Sequence, residues 1–78
     1  MTEQRHIVRD PETGDWRVVA PHSERASAVL STQAEAYDRA REILENAGGG
    51  EAVVHDRHGQ IREKNTIPPA KDPYPPAG

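Results

Sequence analysis

The chain has 78 residues, a formal net charge of −3, 29% charged residues and no cysteine. That length allows a single domain, and the missing thiols exclude disulfides, thiolate zinc sites and cysteine catalysis. The acidic balance provides no global attraction to nucleic acid or to an anionic membrane, and no apolar run approaches the roughly 20 residues that cross a bilayer.

A chain this short buries only about 60% of its unfolded surface, and this one has no Phe and a single Trp. Self-association is the simplest remaining way to cover more apolar area, so a homo-oligomer is expected. Met1-Thr2-Glu3-Gln4-Arg5 leads into no signal-like apolar region, and a cytoplasmic location is expected.

His6–Arg9 and Trp16–Ala20 are short β-prone runs separated by Asp10-Pro11-Glu12-Thr13-Gly14-Asp15. Pro presets φ at one turn position and Gly supplies positive φ at another, which predicts a hairpin. Trp16, Val18 and Ala20 then share one face and Arg17 takes the other. Trp16, the one large aromatic that can anchor the sheet, is expected to be largely buried. After the polar stretch Pro21–Arg25, the weak alternation of Ala26–Ser31 predicts a third strand with small residues beneath a covering element.

Thr32-Gln33-Ala34-Glu35 has the spacing of a capping box, with Thr and Glu side chains exchanging hydrogen bonds with each other's backbone N–H. Tyr37, Ala40, Leu44 and Ala47, widened by Ala36 and Ile43, recur at helical spacing up to Ala47. Gly48-Gly49-Gly50 closes the helix and links it onward. Glu51–His55 and Ile61–Lys64 predict two more strands around a turn at Gly59. From residue 65 to 78 the chain is Pro-rich, and prolines support neither a strand ladder nor a helix. The expected organisation is one α+β domain over 1–64, a mostly antiparallel β-β-β-α-β-β sheet covered by one helix, and an extended or disordered tail over 65–78.

The Trp-containing strand after a Gly turn, Ser23-Glu24-Arg25-Ala26-Ser27, and Thr32-Gln33-Ala34-Glu35-Ala36 followed by Ala40-Arg41-Glu42 together form a pattern. Val53 to Arg62, with its strand-turn-strand rhythm, completes it. In these features the chain resembles a bacterial family known as domain of unknown function 2188. The resemblance implies a sheet of short strands with one helix across it. It implies no activity, cofactor or catalytic residue.

Four histidines invite a metal reading, with His55 and His58 flanking a turn. A zinc site needs three or four ligands, and His6 or His22 would have to arrive from distant segments, so no metal and no cofactor are expected. No Ser sits in a nucleophile elbow and no Gly-rich loop opens a helix; an enzyme is not expected. Arg9 and Arg17 on the first hairpin and Arg57 and Arg62 on the second are the candidate nucleic-acid contacts, by phosphate neutralisation. Interleaved Asp10, Glu12, Asp15, Asp56 and Glu63 oppose that role. The reading is a small non-catalytic interaction module with nucleic acid as its first candidate partner. The alternative is a protein-only accessory or stress-related factor acting by self-association or by binding an unidentified protein.

Overall fold

The computed structural model describes residues 3–23 and 25–69. Five strands and one helix follow in the order β1 (Glu3–Arg9), β2 (Trp16–Val19), β3 (Ala26–Leu30), α1 (Gln33–Asn46), β4 (Gly50–His55) and β5 (Ile61–Ile67). The sheet order is β3-β2-β1-β4-β5. The first three strands form an antiparallel meander. α1 then crosses the sheet, so β4 returns parallel to β1, and β5 closes antiparallel on β4. The α+β class and the element order agree with the sequence; the sheet is mixed, with three antiparallel pairings and one parallel.

One face carries the core. Ile7, Val18, Ala52, Val54 and Ile67 meet Ala36, Ala40 and Leu44 of α1, with Trp16, Ala28, Leu30, Tyr37 and Ile43 packed around them. The alanines of α1 let the helix approach the sheet closely, and Leu44 fills the centre. Two expectations change here. Trp16 shares the helix face with Val18 but is half-buried, because it lies near the sheet end, at the first residue of β2. Ala47 is exposed, because it is the helix C-cap and the stripe has already turned away from the sheet.

The caps explain where α1 stops. Thr32 Oγ1 accepts the N–H of Glu35 at 3.1 Å, the expected half of the capping box. The other half is replaced: the Glu35 carboxylate accepts from the Ser31 hydroxyl at 2.8 Å. At the far end Gly49 N–H reaches the Leu44 carbonyl at 2.7 Å and Gly48 N–H the Glu45 carbonyl, a Schellman closure. Gly50 is not linker but the first residue of β4. A Cβ there would lie 2.3 Å from the Glu3 carbonyl oxygen, so only glycine lets β4 run this close beside β1. β5 continues to Ile67, three residues past its expected end, because the Ile67 side chain is buried in the core. The expected Pro-rich tail falls, beyond Pro69, outside the described residues. No helix among the described residues is long and apolar enough to cross a membrane.

Candidate functional site

Strand alternation sends every second side chain to the face that α1 does not cover. Gln4, His6 and Val8 from β1, Arg17 and Val19 from β2, and Val29 from β3 face that way. Glu51, Val53 and His55 from β4 join them, with Ile61, Lys64 and Thr66 from β5. Among the described residues nothing packs over this face. Val29 and Ile61 stand 56% and 61% exposed, while Val53 is buried among its neighbours on the same side.

At the centre, His6 Nδ1 and His55 Nε2 lie 2.9 Å apart. The other nitrogen of His55 faces the Gly59 carbonyl at 3.3 Å. A carbonyl only accepts, so His55 carries its proton on Nδ1 and offers a lone pair at Nε2. His6 therefore donates its Nδ1–H to His55. The ring centroids are 5.2 Å apart, with the nitrogens meeting tip to tip. Two imidazoles holding one cation at a right angle, with N–metal bonds of about 2.0–2.1 Å, would bring the centroids to about 4.5 Å. The geometry is that of a shared proton. No three His, Asp or Glu side chains among the described residues gather as metal ligands. Burial first, then the nearby His55 and Lys64, hold the His6 pKa below its ordinary value.

This pairing was invisible in the sequence, where His55 and His58 were the natural partners. The parallel β1–β4 register sets His6 beside Val53, two residues before His55. Nothing in the sequence signals that register. His58 sits exposed in the β4–β5 turn, where the Asp56 carboxylate accepts the N–H groups of His58 and Gln60 at 2.8 and 3.0 Å.

The four candidate arginines all stand at one end of the sheet, where β1 and β4 end and β2 and β5 begin. They do not share a face. Arg17 lies on the uncovered face opposite Val8, whereas Arg9 pairs with Trp16 on the helix side. Arg57 is exposed in the turn. Arg62 sits at the irregularity between β4 and β5 and donates to Gln33 Oε1 at 2.9 Å. At the opposite end, Arg5 donates to the Glu3 carboxylate and the Gln4 carbonyl, so its charge is engaged by its own neighbours.

The sequence model of a bacterial family described as "Uncharacterized protein conserved in bacteria (DUF2188)" matches residues 5–67, from β1 to the end of β5. This chain belongs to that family. Comparison with curated proteins and with solved structures finds no match. The DUF2188 match spans both faces of the sheet, including His6, Arg17, His55 and Lys64.

The uncovered face of this DUF2188 chain differs in charge from the rest of the molecule. Among the described residues, Arg17 and Lys64 are accompanied there by one carboxylate, Glu51, which receives a hydrogen bond from Gln4 at 3.2 Å. The outward side of α1 carries Glu35, Asp38, Glu42 and Glu45, with Arg39 and Arg41 paired to the last two. The face is thus a cationic, aliphatic surface on a chain of net charge −3.

Proposed function

We propose that this chain is a non-catalytic, cytoplasmic interaction module that docks another protein on its uncovered sheet face. One observation carries the reading: a parallel pair, β1 and β4, lies at the centre of a sheet covered on one side only. Parallel strands occur mostly where both faces are covered. Here the second face presents Val8, Val19, Val29 and Ile61, an aliphatic set with no evident task inside the chain.

Nucleic acid is the weaker occupant. The four arginines split between faces, and five carboxylates stand at the same end of the sheet. Among the described residues no Trp, Tyr or Phe lies on the uncovered face, and the two imidazoles there, His6 and His55, are hydrogen-bonded to each other.

The reading is tested with a photo-reactive amino acid placed at Val29 or Ile61, and at Arg39 on α1 as control. After nuclease treatment of the native cytoplasm, a discrete protein adduct is expected from the sheet positions and not from Arg39. Adducts that vanish with nuclease, or that form equally from Arg39, overturn it.

A further inference from the structure

We propose that the occupant of the uncovered face is an amphipathic helix of another protein, with an apolar seam and acidic flanks. The proposal rests on reading that face as a docking surface, and it adds the chemistry of the partner.

The floor is set by the two central strands. Val8 of β1 stands beside the His6–His55 pair, and Val53 of β4 lies beneath it, already covered by its neighbours. Three of the four ring nitrogens in that pair are engaged, by each other or by Gly59. Only His6 Nε2 remains, so covering the pair strands a single acceptor and the desolvation cost stays small. Val19 and Ile61 extend the apolar floor to β2 and β5.

Arg17 on β2 and Lys64 on β5 flank this floor, three strand spacings apart. At about 4.8 Å per strand they stand about 14 Å apart across the sheet. A helix with its side chains measures about 10–12 Å. It fits lengthwise over β1 and β4, its seam on the valines, with a cation at either side to meet carboxylates on its flanks. The stems of Arg17 and Lys64 add apolar cover along its edges. α1 shows on the opposite face that this sheet accepts an amphipathic helix. A second helix would complete a three-layer arrangement.

The competing occupants fit less well. A second copy placed face to face opposes Arg17 and Lys64 with the same cations, and brings only Glu51 to offset them. A nucleic acid would find two cations, two imidazoles already paired with each other, and aliphatic side chains that phosphates do not use.

The experiment is an NMR titration of the isotope-labelled full chain with a designed helical peptide bearing a leucine seam and glutamate flanks. The same seam with lysine flanks, unlabelled chain, and a thymidine oligonucleotide serve as comparisons. Val8, Val53 and Ile61 resonances are expected to shift with the glutamate peptide at micromolar concentrations, and about tenfold or more weakly with the lysine peptide. Ile61→Glu, at an exposed position, should weaken binding about tenfold with the melting temperature unchanged. The double change Arg17→Glu and Lys64→Glu should reverse the preference between the two peptides. Equal affinity for both peptides, or no reversal in the double variant, overturns the proposal. So do face shifts that come only from added unlabelled chain, which assign the face to a second copy, or only from the oligonucleotide. Failure of both peptides while Val29 and Ile61 still crosslink to a protein leaves the docking face standing and removes the acidic helix.

Discussion

His6 and His55 meet tip to tip across β1 and β4, and the Gly59 carbonyl decides which of them donates. With Nδ1 of His55 committed to that carbonyl, the open nitrogen of His6 is Nε2, where an added proton leaves the existing hydrogen bond intact. Its surroundings resist that proton. His6 is partly desolvated, His55 and Lys64 lie close by, and Arg17 adds a further cation on the neighbouring strand. Glu51, the carboxylate of the same face, is engaged by Gln4.

This arrangement predicts a pH dependence of stability near neutrality. In the unfolded chain a histidine titrates at about 6.5, whereas the folded His6 titrates lower. Between those two values the unfolded state binds more protons, so stability falls as pH drops below about 6.5 and levels once folded His6 is also protonated. Denaturant midpoints measured across that range should decline for the native chain and decline less for His6→Gln. A decline of equal size in both would place its origin elsewhere.

A second window lies in acid. The Asp56 carboxylate is held below its ordinary pKa chiefly by the N–H of Gln60, with the N–H of His58 acting in the same direction. A depressed carboxylate adds stability above its unfolded pKa, and that contribution disappears as pH falls through the folded value. Asp56→Ala should therefore lower the melting temperature at neutral pH and show a shallower loss in acid. Asp56→Asn, which keeps one acceptor oxygen, should recover part of the neutral-pH loss. Identical melting for Asp56→Ala and the native chain would show that the turn does not depend on these bonds.

Gly50 and Gly48 make a paired test of backbone and space. Gly48 has positive φ with open space around it, so Gly48→Ala is expected to cost about 1 kcal/mol, in the range of the left-handed penalty. Gly50 lacks a positive φ, but its added Cβ meets the Glu3 carbonyl and Leu44. Gly50→Ala should cost more, and hydrogen exchange should show the start of β1 released from β4. The reverse ranking would mean that β1 shifts to make room at little cost.

Burial sets a similar ranking between Leu44 and Trp16. Leu44 is fully buried at the centre of the core, and Leu44→Ala is expected to cost about 2–5 kcal/mol. Trp16 is half-buried at the sheet end, so Trp16→Ala should fall below the 3–5 kcal/mol typical of a buried Trp. Against the 5–15 kcal/mol of an ordinary domain, the first variant should be close to unfolding and the second should remain cooperative. Thermal melts of the two variants decide the order.

The strands, the helix and its start were legible because each rests on local chemistry: the turn at Gly14, the Thr32 cap, the alternation of β4. What escaped depends on partners far along the chain. Ile67 reads as part of a proline-rich end until β4 is beside it, and Gly50 reads as linker until the Glu3 carbonyl is known to lie 2.3 Å from its missing Cβ. Trp16 was placed on the correct face, yet its depth is set by where β2 begins relative to α1, which alternation does not encode. His6 and His55 are 49 positions apart. Only the parallel return of β4, after α1 has crossed the sheet, makes them neighbours.

The last prediction separates phosphate contact from protein docking. Each phosphate neutralised adds about 0.9 to the magnitude of the log–log salt slope on a duplex. If Arg9, Arg17, Arg57 and Arg62 acted together, the slope would approach about 4 by that rule. The structure divides them: Arg17 faces the uncovered side, Arg9 faces the helix side, Arg57 lies in a turn and Arg62 is held by Gln33. Among the described residues Arg17 and Lys64 are the two cations on the uncovered face, so any duplex association there should be weak, with a slope magnitude of about 2 or less. Arg17→Glu should remove it, while Arg9→Glu and Arg57→Glu should change it little. Fluorescence anisotropy with a labelled duplex over a range of salt concentrations gives both quantities. A slope near 4, with losses in the Arg9 and Arg57 variants, would move the functional surface from the uncovered face to the end of the sheet.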